Sequence, residues 1–191
     1  MKERDEIRLL GISGSLRAKS SNTAILQTLG ERLAGGVTMS LSPLKDIPPY
    51  NADEDGDRCP SSVQQLKESI ANADALVLCS PEYNHGTSGV LKNAIDWASR
   101  PAFQSPLKGK PVLIMTSSPG LIGGVRAHQQ LRDALASAFS RVMAGPQVVV
   151  SNVFQKVEDG RLTDEATITF ALAAIDELVR EVRMLKNAEV T

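Results

Sequence analysis

Cysteine, histidine and net charge are all scarce in this chain of 191 residues, and each scarcity closes off a class of function. The two cysteines, Cys59 and Cys79, show neither CxxC spacing nor a disulfide framework, and Cys79 sits in the apolar run ALVLCS as a small buried residue would. With only two histidines and no acidic cluster at ligand spacing, no metal is expected. The formal charge of −1 gives no basic field to attract nucleic acid. The opening MKERDEIRLL lacks an apolar stretch of signal-peptide length, and no segment could span a membrane. The expectation is a cytoplasmic protein without membrane or nucleic-acid partners. What remains is an ordinary globular composition, 42% hydrophobic and 23% charged, in a length that suits one domain over residues 1–191.

Apolar runs and helical patterns alternate along the chain. Ile7 to Ile12 reads as a buried strand, and Ile25, Leu29 and Leu33 recur every four residues on one face of the helix that follows. Gly35-Gly36 is expected to end that helix. Val37 to Leu41 is a weaker strand, and Pro43 to Arg58 reads as a surface loop. Ser61 or Ser62 is placed to cap a second helix with the stripe Val63, Leu66 and Ile70. Ala75 to Cys79 is the clearest central strand, and Pro81 should end its ladder, so that Pro81 to Gly86 forms a loop. A third helix carries Leu91 and Ile95; Pro111 to Thr116 is the next strand, and a Ser/Gly-rich loop from Ser117 to Gly124 leads to a fourth helix. Gln147 to Val150 is the last strand, followed by a turn near Glu158-Asp159-Gly160 and a final helix.

Strands joined by helices must lie mostly parallel, with helices covering both faces. Five such units fit an α/β flavodoxin-like three-layer sandwich, a five-stranded parallel sheet in the order 2-1-3-4-5. In such sheets ligands sit beyond the carboxyl ends of the strands, where the order reverses. The loops that meet there are GISGSLRAKSSN, SPEYNHG and SSPGLIGG.

The first loop is crowded with donors: Ser13, Ser15, Arg17, Lys19, Ser20, Ser21 and Asn22, with Thr23 just after. It opens a helix, whose first N–H groups are unpaired and electropositive, so it suits an anion. GxxxxGK[ST] is absent, and GxGxxG fails because Gly11 and Gly14 are the only glycines before Leu29. A loop relying on side chains rather than glycine backbone favours a terminal phosphate monoester, as in FMN, over an internal pyrophosphate. Lys19 is read as solvated; the competing reading of the loop is an ordinary strand-to-helix turn with Asn22 or Ser21 as cap. In the second loop, Tyr83 offers a ring to pack near a flat ligand, and Asn84 serves either to read a polar edge or to close a turn.

GSLRAKSSN, PEYNHGTSGVLKNAIDW and SSPGLIGGVRAH, in this order, resemble the NADPH-dependent FMN reductase family, which includes chromate, quinone and azo-dye reductases. The resemblance spans about residues 7–150. It implies a flavodoxin-like fold that binds FMN and takes hydride from NADPH or NADH. By motif position, Ser13, Ser15, Arg17, Ser20, Asn22 and Thr23 would hold the phosphate. Pro81, Glu82, Tyr83, Asn84 and His85 would border the ring system, largely through backbone, and Ser117 and Gly120 would line its other edge. No residue is assigned acid–base catalysis, since the difficult step belongs to the flavin. Glu82 is read as a structural hydrogen-bonding residue, His128 as exposed or at an interface, and Trp97 as core or a subunit anchor. The resemblance further implies a small-molecule electron acceptor and a homodimer or homotetramer. The competing readings are a flavodoxin-like electron carrier, which would be strongly acidic, and a flavin-binding sensor with little turnover.

Overall fold

The computed structural model describes residues 6–188. Residues 1–5, part of the stretch read above for a leader, lie outside that range with 189–191, as do those ends of the single-domain span. In chain order the elements are β1 (Ile7–Ser13), α1 (Ser21–Glu31), β2 (Val37–Ser42), α2 (Ser61–Asn72), β3 (Ala75–Tyr83), β4 (Gly86–Thr87), α3 (Gly89–Ala98) and β5 (Pro111–Ser117). After these come α4 (Val125–Ser137), β6 (Arg141–Val142), β7 (Val148–Val150), a β8–β9 hairpin (Val157–Glu158 and Arg161–Leu162) and α5 (Glu165–Ala188). Among the described residues no helix is long and apolar enough to cross a membrane.

The sheet runs β2-β1-β3-β5-β6, with β7 also on the β5 edge, and all of these pairs are parallel. This is the expected order of a doubly wound α/β sandwich. Side chains alternate across each strand: Val77 and Cys79 face a cluster with Ile25, Leu29 and Ile175, whereas Leu76 and Leu78 face one with Leu66, Ile95 and Leu135. Helices α1 and α5 thus cover one face and α2, α3 and α4 the other. Each fully buried aliphatic side chain contributes about 1.5–3 kcal/mol. The register aligns the strand ends that matter: Ser13 lies beside Cys79, and Pro81 beside Ser117.

Several boundaries differ from expectation for identifiable reasons. Pro81 does not end its strand; β3 continues to Tyr83 because Glu82 and Tyr83 pair backwards with Thr87 and Gly86 of β4. The fifth strand is broken. β6 pairs with Pro111 and Val112, β7 with Met115 to Ser117, and the chain between bows away through Gly145 at φ 150° and Pro146, which has no N–H for a ladder. His128 lines that gap and is buried rather than exposed, with Nδ1 unpartnered among the described residues; burial, and then the charge of Arg132, hold its pKa below the ordinary value. Neither Ser61 nor Ser62 caps α2: Pro60 holds that position without a side-chain bond. Helix α1 ends at Glu31, and Gly35 and Gly36 shape the turn into β2 instead. Trp97 is core, fully buried, with its indole N–H donating to the carbonyl of Pro48 at 2.8 Å and its ring edge-on to Tyr50.

Candidate functional site

The cap of helix α1 is neither Ser21 nor Asn22 but the residue before them. Ser20 is the N-cap: its Oγ accepts from the Thr23 N–H at 3.2 Å, and its carbonyl accepts from the Ala24 N–H at 3.0 Å. The second is the first regular bond of the helix, so the cap uses one of the four orphan donors of the helix start, that of Thr23. The N–H groups of Ser21 and Asn22 have no protein acceptor among the described residues, and neither has that of Lys19. These backbone donors, with that of Ser20, are therefore left at the electropositive end of the helix.

The hydroxyls around them are oriented from within. Ser13 Oγ accepts from Thr23 Oγ1 at 2.9 Å and from the Ser15 N–H at 3.4 Å, and Ser15 Oγ accepts from the Arg17 N–H at 3.4 Å. Each serine oxygen is an acceptor inside the loop, so its own O–H remains to donate outward. Among the described residues the Arg17 guanidinium has no hydrogen-bond acceptor, and it lies 6.0 Å from the ring centre of Phe154. It stands between two hollows: one of about 500 Å³ with Lys19, Ser20, Ser21 and Phe154, the other of about 260 Å³ with Ser13, Ser15, Leu16 and Thr23.

Asn22 is placed differently from the other loop donors. It is buried, and its Oδ1 accepts from Ser117 Oγ at 3.0 Å and from the Cys79 thiol at 3.2 Å. One amide carbonyl thus ties the start of α1 to the ends of β3 and β5, leaving Nδ2 without a protein partner among the described residues. The Ser117 O–H is spent on this tie, so at a ring edge that residue can offer its backbone and its hydroxyl oxygen as an acceptor, but no hydroxyl donor. Burial pushes the Cys79 thiol well above the ordinary range. A chromogenic disulfide reagent is expected to titrate one thiol in the native protein, that of Cys59, and the second only after denaturant is added. Two fast thiols would mean that β3 opens on the assay timescale.

The second loop is a hairpin turn. Asn84 (φ 50°) and His85 (φ 66°) are the central residues between the paired Tyr83 and Gly86, the conformation in which both centres need positive φ. Asn84 therefore closes a turn, and the half-exposed Tyr83 and exposed His85 stand beside it. Pro81 is buried against Gly14, where an added Cβ would come within 3.2 Å of Pro81 Cδ and 2.9 Å of Ser88 Oγ. That glycine lets the first loop sit directly on the second. The third loop is held to β7: the Ser118 N–H donates to Val150 at 3.1 Å, and the carbonyl of Gly120 accepts from Asn152 at 3.2 Å.

The structure thus brings Ser13, Ser15, Arg17, Ser20 and Thr23 to one rim of the sheet and Pro81 to His85, Ser117 and Gly120 to the adjoining rim. Two residues beside the site went unread in the sequence. Phe154 lies under Arg17, and Gln130 Oε1 accepts from the Thr87 N–H at 2.9 Å. Neither belongs to a local motif; topology alone delivers them.

Residues 7–155 match the family model described as NADPH-dependent FMN reductase. The chain is 40% identical over 183 residues to an NAD(P)H-dependent FMN reductase of Pseudomonas aeruginosa, covering 94% of this chain and 98% of that one. It is 37% identical over 187 residues to a quinone reductase of Escherichia coli, covering 94% and 99%. Among solved structures, a flavoenzyme NAD(P)H:(acceptor) oxidoreductase of Paracoccus denitrificans superposes with a TM-score of 0.82 at 34% identity, over 93% of this chain and 98% of that one.

Proposed function

The chain belongs to the NADPH-dependent FMN reductase family, and on that premise we propose which of its residues hold FMN and which acceptors it serves. It is an oxidoreductase that uses NAD(P)H and FMN, and the flavin supplies the redox chemistry, passing hydride equivalents from the reduced nicotinamide to an acceptor. The residues fit the cofactor. The observation that carries the assignment is the set of unspent donors at α1: the N–H groups of Lys19, Ser21 and Asn22, the outward O–H groups of Ser13 and Ser15, and the unbonded guanidinium of Arg17. A phosphate monoester carries three acceptor oxygens and about −1.5 to −2 charges, which this set matches.

Ser13, Ser15 and Arg17 grip the phosphate with those amides and with Asn22 through its Nδ2. Ser20 and Thr23 shape the turn and hold Ser13 in orientation. The hairpin from Pro81 to His85 borders one edge of the ring system, and the backbone of Ser117 and Gly120 borders the other. No side chain is required to move a proton; the protein fixes the ring and limits access to it. The acceptors are small molecules of the quinone type, with azo compounds, chromate or free flavin taken at the same face. The exposed Leu121, Ile122 and Val125 beside the third loop support a homodimer that shields this rim, which sedimentation would test.

Purified full-length protein titrated with FMN is expected to bind it one to one, and the yellow complex to bleach with NADPH or NADH under nitrogen and recolour when a quinone is added. Failure to bind FMN would end the site assignment. Bleaching without recolouring by any acceptor of the panel would end the proposed acceptor class.

A further inference from the structure

The two loops that border the proposed ring site come from different strands, and a carboxylate joins them, beside a 2.7 Å contact between Arg126 Nη1 and His85 Nδ1. Helix α4 starts at Gly124, where φ is 96° and an added Cβ would lie 3.0 Å from Thr116 Cβ. That position suits glycine, and glycine brings no side chain to cap the helix. The cap comes instead from the hairpin: Glu82 Oε2 accepts from the N–H groups of Arg126 at 3.0 Å and Ala127 at 3.2 Å. These are the second and third residues of the helix, the donors that a capping side chain ordinarily serves. The Glu82 side chain is only 13% exposed, and its other oxygen lies 3.8 Å from His85 Nδ1 and 3.9 Å from Arg126 Nη1. A carboxylate at an electropositive helix end is doubly favoured, by charge-assisted bonds and by the helix dipole.

We infer that Glu82 is a positioning residue: its carboxylate latches the Tyr83–His85 hairpin to the start of α4, and so sets the spacing of the two loops between which the flavin ring lies, without touching the flavin through its side chain. The inference rests on the FMN reading above. The same carboxylate holds both rims, so its loss should loosen the ring site and leave the phosphate loop intact.

Amide exchange on the full-length chain, with and without FMN, and titrations with FMN and with riboflavin test this. In the parent protein without flavin, the amides of Arg126 and Ala127 should be protected while those of Ser21 and Asn22 exchange freely. Glu82→Ala should speed exchange at 126 and 127 by about tenfold or more and weaken FMN and riboflavin alike by about tenfold, the size of a lost cap. Glu82→Gln, whose amide oxygen still accepts, should recover most of both. A purely structural role would lower the melting temperature and leave both flavin affinities unchanged, and that result overturns the proposal. So would unprotected 126 and 127 amides in the parent, or a loss confined to FMN. If Glu82→Ala does not fold, Glu82→Asp, too short to reach both N–H groups, is read by the same criteria at about threefold. A parent that takes up neither flavin would fail the FMN reading instead, and the exchange pattern alone would then decide the latch.

Discussion

Arg17→Ala is expected to raise the FMN dissociation constant by roughly 10- to 150-fold, about 1.5–3 kcal/mol for a lost charge-assisted bond, while riboflavin binding stays within about twofold. The contrast follows from where the charge is spent. Among the described residues the guanidinium has no hydrogen-bond partner, and it rests 6.0 Å from the Phe154 ring. An exposed cation–π contact of that kind is worth about 0.5–1 kcal/mol at most, so folding stability should barely move. A bound phosphate monoester would instead meet a planar fork with several parallel donors, and riboflavin, which lacks the phosphate, would not. Arg17→Lys keeps the charge but not the fork and should fall between the two. Fluorescence titration with both flavins, beside a urea melt of each variant, checks this. Equal losses for FMN and riboflavin would make Arg17 a structural residue; no loss at all would remove it from the site.

The part of this site that depends on one loop was legible in the sequence, and the part that depends on contacts between loops was not. Strand–helix alternation indicated a parallel, doubly wound sheet, while the strand order came from the habit of such folds, since a sequence does not display strand neighbours. The donor-rich run from Ser13 to Thr23 stood out as a candidate anion site because those residue types have few other reasons to crowd the start of a helix. The use of each donor was hidden. Ser20 rather than Asn22 caps α1, since the cap is decided by a single turn of backbone and two adjacent serines look alike. Asn22 turns its carbonyl to Ser117, 95 residues away, and Glu82 turns its carboxylate to Arg126, 44 residues away. Periodicity says nothing about contacts at that range. Trp97 and His128 teach the same lesson: an amphipathic side chain on a helix is compatible with core or surface until the opposing element is known, and here Pro48 and the break in the fifth strand settle both as buried.

Gly123→Ala is expected to cost roughly 2–5 kcal/mol of folding stability, the sum of a left-handed non-glycine residue at about 1–2 kcal/mol and overpacking at about 1–3 kcal/mol. Gly123 has φ 65°, and a Cβ there would lie 2.3 Å from Val149 Cγ1, 3.1 Å from the Ser151 nitrogen and 3.3 Å from the Val150 carbonyl carbon. A flexible side chain could swing aside, but Val149 is β-branched and stiff at χ1, and the other two atoms are backbone. The loop must therefore lift from β7 as a whole. Its anchors are the bonds of Ser118 to Val150 and of Asn152 to Gly120, so the displacement reaches the segment proposed to border the flavin, and through Gly124 it reaches the start of α4. FMN and riboflavin should both bind more weakly, unlike the Arg17 variant. Gly89→Ala supplies the control: it opens α3, its φ is not left-handed, and nothing lies within 4 Å of the added Cβ. That change should be neutral or stabilise by up to about 1 kcal/mol. Urea midpoints for the two variants should therefore move in opposite directions or differ by the full Gly123 cost. A Gly123→Ala protein as stable as its parent would mean that the third loop does not lie on β7 in solution, and the ring border drawn from it would have to be redrawn.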